Sequence, residues 1–205
     1  MAERPSASRE LILGSGSPRR LELLAALGLA PRVVVADIDE RVAAVETPPD
    51  YVKRMAREKC AAVVARTGGA ESGKLVLAAD TVVVANDEIL GKPADRAAAL
   101  AMLGRLSGQT HCVLTAVALG DGSHSALAVS TTRVSMRTIS PVEASQYWAS
   151  GEPADKAGGY GIQGLGGVFV SHIDGSYTGV MGLPVYETAE LLAAAGVELL
   201  GRPTG

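Results

Sequence analysis

The sequence predicts an α/β fold on a mixed sheet, and three observations carry that expectation. Stretches of helical period alternate with short β-branched runs. One run, LVLAADTVVVA at Leu75–Ala85, is the most apolar strand candidate, interrupted only by Asp80 and Thr81. Thr110–Leu119 and Ala126–Thr138 read as two antiparallel strands joined by Gly120-Asp121-Gly122-Ser123.

In chain order, Leu11–Leu13 is a short buried strand that feeds GSGSPRRLELL at Gly14–Leu24. Ser17 stands at a helix N-cap, Pro18 at the first helical position, and Gly28 at the stop of a helix running from Pro18 to Leu27. Arg32–Ala36 (RVVVA) is a strand ending in the acidic run Asp37-Ile38-Asp39-Glu40. Tyr51–Arg66 has helical spacing and a Gly-Gly stop, and Ala94–Leu106 is a second long helix. Ser140-Pro141-x-Glu143 combines an N-cap, an N1 proline and a capping-box acid for a helix to Ala149. A glycine-rich segment, Gly151–Gly167, precedes a strand at Val168–Ile173 and a last helix from Pro184 to Ala195. The pair at 110–138 is expected to extend away from the sheet that carries the N-terminal turn, leaving a dip between two lobes.

The 205 residues suffice for one large domain or two close lobes around a sizeable core. With 19 basic and 22 acidic residues the formal net charge is −3, so long nucleic-acid polymers are not implied. Aromatic content of 3% argues against base-stacking platforms for single strands. Cys60 and Cys112 have no CxxC partner, and a reducing cytosol is the default setting. No apolar stretch approaches the ~18 residues of a membrane span.

Arg19 and Arg20 occupy the positive end of a helix dipole, where each cation is unfavourable by roughly 0.3–1 kcal/mol. Pairing with Glu22 or other surface acids is one explanation; an anion site for phosphate is the other, since serine hydroxyls, free N–H groups and guanidiniums converge there. No GxxxxGK[ST] is present. Asp80 faces a steep desolvation cost inside an apolar strand unless it is paired or metal-bound, or else it caps a turn just past a strand end. A partly desolvated carboxylate is a natural general base for water. Thr81 beside it can donate to a ligand or pack in the strand. Asp37, Asp39 and Glu40 are either solvated loop or carboxylates for Mg²⁺ shared with substrate phosphates.

The literal GxGxxG from Gly159 to Gly164 lacks a preceding strand and a following helix, which argues against a dinucleotide fingerprint. Its loop instead carries Gln163, an amide able to pair with a base edge. Lys156 could reach phosphate. Lys92, in Gly91-Lys92-Pro93, is a better ligand candidate than Lys59, which lies in a helix. His111 beside Cys112 reads as core or surface rather than a catalytic pair. No GxSxG elbow occurs, so covalent catalysis is not supported.

Taken in order, SGSPRRLELL, the acid-ended strand closing at Glu40, AREKC (56–60), LAADTVVV (77–84), GKP (91–93), LSGQTHCVLTAV (106–117), DKAGGYGIQGLGGVFV (155–170) and GSYTGVMGLPVYET (175–188) resemble the Maf family of nucleoside triphosphate pyrophosphatases, once described as septum-formation inhibitors. The resemblance covers nearly the whole chain as one domain, with residues 1–9 and about 194–205 peripheral. It implies a central mixed sheet flanked by helices, two lobes around a cleft, and commonly a homodimer. It also implies hydrolysis of a nucleoside triphosphate to the monophosphate and pyrophosphate, dependent on a divalent cation, Mg²⁺ or Mn²⁺. Asp80 would be the proton acceptor, and Glu40 with Asp80 would hold the metal. Arg19, Thr81 and Gln163 match the positions that mark the dTTP/UTP subgroup, while Ser17, Arg20, Lys59 and Lys92 match other pocket positions. Two other classes stay open at this point: a nucleotide-sensing regulator of cell division with little turnover, and a phosphomonoesterase using the same anion cleft.

Overall fold

The computed structural model describes residues 9–200; residues 1–8 and 201–205, in the stretches expected to be peripheral, lie outside the described residues. Seven strands form one mixed sheet in the order β2-β1-β3-β5-β6-β7, with β4 paired to β3. The strands are β1 (Leu11–Leu13), β2 (Arg32–Val33), β3 (Leu75–Ala85), β4 (Glu88–Leu90), β5 (Thr110–Gly120), β6 (Ser125–Met136) and β7 (Val170–Asp174). The helices are α1 (Pro18–Ala26), α2 (Pro48–Arg66), α3 (Arg96–Leu106), α4 (Pro141–Ala149), α5 (Tyr177–Met181) and α6 (Val185–Ala194), with 3₁₀ turns between some of them.

The central strand decides the shape. On one side β3 pairs antiparallel with β5 from Val76 through Val84. On the other side it pairs in parallel with β1 at Leu75–Leu77 and antiparallel with β4 at Val83–Ala85. The strand pair at 110–136, which the sequence predicts to extend away from the sheet that carries the N-terminal turn, belongs instead to that same sheet. An 11-residue β3 is long enough to serve both ends, and the dip is a gap along its edge between β1 and β4.

Alternation along β3 sends even and odd residues to opposite faces. Val76, Ala78 and Val82 pack with Leu114, Ala116 and Ala118 of β5 under Val52, Met55, Ala56 and Val63 of α2. The odd face carries two separate cores. Leu75, Leu77 and Ala79 pack with Leu24 of α1 and Leu192 of α6. Val83 and Ala85 pack with Leu103 and Leu106 of α3, and with Ala144 and Tyr147 of α4. Thr81 stands at the seam between them. Burial of the twelve largest fully enclosed side chains, at about 1.5–3 kcal/mol each, is what holds these layers together.

Several boundaries move for local reasons. β2 stops at Val33 rather than Ala36, because this exposed edge leaves β1 after Val34 N–H donates to the Leu13 carbonyl. α2 starts at Pro48, three residues before the expected Tyr51, since the Thr47 hydroxyl caps Asp50 N–H and two prolines fill the first turn. Asp95, not Ala94, sets the start of α3 by accepting from Ala98 N–H at 2.8 Å. The Ser140–Glu143 capping box of α4 forms as expected. β4 is missed from sequence: Asn86 and Asp87, with φ of 53° and 62°, make the tight turn that folds three residues back onto β3.

Candidate active site

Between β1 and β4 the edge of β3 is unpaired from Ala78 to Val82, and a cavity of about 600 Å³ occupies the gap. A gap in a sheet edge exposes both faces at once, which is why Asp80 and Thr81, consecutive residues of opposite orientation, both line it. The strands flanking the gap deliver the two loops that the sequence marks as candidates for holding an anion. β1 leads into Gly14–Ser17 and α1, and β4 leads into Gly91-Lys92-Pro93. This is the place where an open α/β sheet holds a ligand, outside strand ends where the order switches.

Asp80 lies in mid-strand, 7% exposed, so it caps no turn. Its Oδ1 accepts from Lys59 Nζ at 2.7 Å, and the same ammonium lies 2.9 Å from Glu40 Oε1. Lys59, 8% exposed, projects from α2 onto the even face of β3. Burial pushes the Asp80 carboxyl above the usual range, opposed by the Lys59 charge and hydrogen bond and by Arg20, with Glu40 adding to the rise. Tyr51 beside them donates to the Glu40 carbonyl at 2.8 Å, and burial together with the two carboxylates pushes its phenol up to about 12. Glu40 is thereby anchored through its backbone while its carboxylate stays exposed. Asp39 is exposed and held by Arg41 instead. Asp37 is exposed.

At the start of α1, Ser17 occupies the N-cap position with extended backbone, but its hydroxyl makes no cap bond. That differs from an ordinary cap and leaves the hydroxyl, with the N–H groups of the first turn, open toward the cavity. Arg19 touches Asp155 at 3.4 Å, a long and weak pairing. Arg20 is differently placed. Its Nε donates to the Gly182 carbonyl at 2.8 Å, Nη1 to Ser15 Oγ at 2.9 Å, and Nη2 to Thr81 Oγ1 at 3.3 Å. Neither arginine pairs with Glu22. Burial pulls the Arg20 guanidinium down, and the Asp80 charge opposes that.

Lys92 is exposed at the cavity mouth with no ion-pair partner among the described residues. Gln163 is likewise exposed at the rim. Its loop has no strand before it and no α-helix after it, in keeping with the rejection of a dinucleotide fingerprint. The loop is ordered by Glu152, whose carboxylate accepts from Leu165 N–H (2.8 Å), Gly166 N–H (3.0 Å) and Tyr147 O–H (2.7 Å). Gly158, at φ 69°, donates to the Gly91 carbonyl at 3.0 Å; a Cβ there would sit 3.0 Å from the Val83 side chain, which would have to give, and the positive φ disfavours a side chain in any case. Lys156 lines the cavity, yet its ammonium is tied to Glu152 O and Asp155 Oδ1, both at 2.7 Å.

Sequence reasoning missed Thr115, whose partners Thr81 and Gly179 lie 34 and 64 positions away. It also missed Tyr51, Tyr147 and Glu152, whose bonds to loop backbone leave no local pattern to read. Thr81 also needs correction: its hydroxyl proton is taken, because Thr115 Oγ1, 3.0 Å away, donates its own proton to the Gly179 carbonyl at 2.7 Å. His111 is core, with Nε2 against the Tyr160 hydroxyl at 2.8 Å. Cys60 is buried, and burial pushes its thiol up to about 11, away from a nucleophile's range.

Among the described residues no group of three His, Cys, Asp or Glu gathers around one point, and no helix is long and apolar enough to cross a membrane. Glu40 and Asp80 nonetheless converge on one cation, the Lys59 ammonium. Two hard oxygen donors completed by substrate phosphates are a donor set that suits Mg²⁺ or Mn²⁺.

Comparison with known proteins shows what the chain as a whole is similar to. A protein of Hahella chejuensis named dTTP/UTP pyrophosphatase is 50% identical over 191 residues, 93% of this chain and 94% of the relative. One of the same name from Escherichia coli O157:H7 is 52% identical over 183 residues, 89% of this chain and 91% of the relative. A solved structure, that of the Staphylococcus aureus Ham1 protein, superposes with a TM-score of 0.44 at 13% identity, covering 62% of this chain and 72% of that one. The family profile described as Maf-like protein matches residues 10–195. With nearly the whole sheet, the Gly14–Ser17 and Gly91–Pro93 loops and the Gln163 loop inside that match, the chain belongs to the Maf-like protein family.

Proposed function

We propose that this protein hydrolyses dTTP and UTP to the nucleoside monophosphate and pyrophosphate, with Asp80 as general base and a divalent cation at Glu40 and Asp80. The observation that carries the reading is the sheet gap, where a buried carboxylate held by an ammonium meets cationic and hydroxyl groups at a helix start. The dTTP/UTP pyrophosphatase name of relatives at about 50% identity supports it.

In this reading the α1 start, with Ser17 and Arg19, takes the triphosphate together with Lys92 and Lys59. The phosphate charge then balances the cations that the helix dipole disfavours. Asp80 accepts a proton from water as its oxygen bonds to the α-phosphorus. The bond from that phosphorus to the bridging oxygen breaks, and pyrophosphate leaves with its electron pair. Lys59 keeps Asp80 ionised despite burial, because an ammonium 2.7 Å away favours the charged form. Mg²⁺ or Mn²⁺ held by Glu40 and Asp80 would supply electrostatic stabilisation of the phosphoryl oxygens. Gln163 pairs with the O4/N3 edge of thymine or uracil. A homodimer, implied by the family resemblance, and a cytosolic setting, from the cysteine usage, belong to the same proposal.

A product assay across dTTP, UTP, CTP, GTP, 7-methyl-GTP and ITP, separating pyrophosphate from orthophosphate, tests it. Pyrophosphate from dTTP and UTP well above the purines is the expected result. Orthophosphate would make the protein a phosphatase, and tight binding without turnover would make it a nucleotide sensor.

A further inference from the structure

The odd face of the sheet carries a polar row that crosses three strands. Thr81 of β3 stands opposite Thr115 of β5, which stands opposite Ser130 of β6. Thr115 is 1% exposed and Ser130 6%, so this row runs through the sheet beneath α5 rather than along its surface. Proton accounting fixes the direction of its bonds. A carbonyl only accepts, so the Thr115 hydroxyl commits its single proton to Gly179 O at 2.7 Å. The contact at 3.0 Å between the two threonine hydroxyls must then be filled by the proton of Thr81. Arg20 Nη2, which can only donate, takes one Thr81 lone pair at 3.3 Å. One lone pair is left on Thr81, a residue that lines the cavity together with the apolar residues Val113, Val180 and Met181. Those apolar neighbours suit a flat ring better than a phosphate.

We infer that Thr115 is a positioning residue that makes Thr81 an obligatory hydrogen-bond acceptor toward the cavity, so that the site takes a pyrimidine presenting a ring N–H and rejects one presenting a ring lone pair. Uracil and thymine carry a proton at N3, which Thr81 accepts while the Gln163 amide donates to O4 on the same edge; cytosine carries a lone pair at N3. Against cytosine, two lone pairs would face each other, and Thr81 could not rotate to relieve them without breaking its bond to Thr115. The inference rests on the pyrimidine reading of the site proposed above. Gly179 belongs to the same device. Its carbonyl is presented by α5, and Arg20 holds the far end of that helix through Gly182 O.

The test compares kcat/KM for UTP and CTP in the unaltered protein, Thr115→Val, Thr115→Ser, Thr81→Val and the Thr81→Val/Thr115→Val double variant. Thr115→Val frees the Thr81 proton, so the UTP-to-CTP ratio should fall about tenfold or more, through KM with kcat little changed. Thr115→Ser keeps the hydroxyl and should restore the ratio. The double variant should lose no more selectivity than Thr81→Val alone, because Thr115 acts through Thr81. A ratio unchanged in Thr115→Val, a serine variant as unselective as the valine one, or additive losses in the double variant would each overturn the inference while leaving the pyrimidine reading intact. An unaltered protein with no preference for UTP over CTP would overturn that reading and the inference with it. Should Thr115→Val not fold, Thr115→Ala against Thr115→Ser gives the same comparison, with the same ratios deciding it.

Discussion

The two faces of β3 are built differently, although Asp80 and Thr81 are adjacent in sequence. The even face is one continuous apolar layer under α2 into which the Lys59 ammonium has been set between the carboxylates of Asp80 and Glu40. The odd face is divided into two cores, and the seam between them is filled by neutral hydroxyls, Thr81 and Thr115, closed off by the α5 carbonyl of Gly179. A charge buried in an apolar layer is costly and strongly perturbed, which suits proton transfer. Neutral hydroxyls at a seam cost less to bury when all are bonded, and their fixed bond directions suit recognition. Arg20 joins the faces: it donates to Thr81 on one side and lies near enough to Asp80 to oppose the rise of that carboxyl on the other.

The sharpest way to break this division of labour is Asp80→Asn. If the even face carries the chemistry, turnover of dTTP should fall by about 10²–10⁴ while nucleotide binding measured by calorimetry survives. Near-normal turnover would move the general base elsewhere.

Arg20→Ala tests whether the faces are coupled. It strips donors from Gly182 O, Ser15 Oγ and Thr81 Oγ1 together. Urea unfolding should show a loss of roughly 2–3 kcal/mol, the range for hydrogen bonds from a charged group. Unchanged stability would make Arg20 a ligand group only.

His111 lies further along the odd face, on β5 against Tyr160, whose phenol burial pushes well up. Burial pushes the imidazole down to about 4. Because the folded value lies below the unfolded one, the unfolded chain binds the proton first as pH falls. The stability from a neutral His111 is therefore full above the unfolded value of about 6.5 and is lost toward the folded value of about 4. Between pH 7.5 and 5 the loss should be roughly 2 kcal/mol, and His111→Gln should flatten that part of the urea-midpoint profile. The same slope in both proteins would assign the pH dependence to other groups.

The smallest effect is expected from Gln163→Ala, at the exposed rim. Discrimination between UTP and GTP should drop about tenfold with hydrolysis retained. If selectivity holds, base recognition lies wholly on the odd face at Thr81, which would sharpen the comparison rather than blur it.

Much of this was legible without coordinates. Asp80 stood out because a carboxylate amid Val and Ala needs a partner, and Arg19 and Arg20 stood out against a helix dipole. Lys59 did not: on α2 it looks like any solvated lysine, and only packing against β3 turns it inward to Asp80. β4 escaped because three residues after an Asn-Asp turn carry too little periodicity to read, and α5 because five residues containing a glycine show no helical face.

The sequence by itself determined the α/β class, the long central strand, the capped helices and the residue types of the site, because propensity, capping and period are local properties of the chain. Only the tertiary structure decided that one strand edge is left open between β1 and β4, so that residues of opposite faces share a cavity. It also decided the direction of the Thr81 hydroxyl, since that depends on which acceptor stands beyond Thr115, and that acceptor, Gly179, lies 64 positions away in the chain.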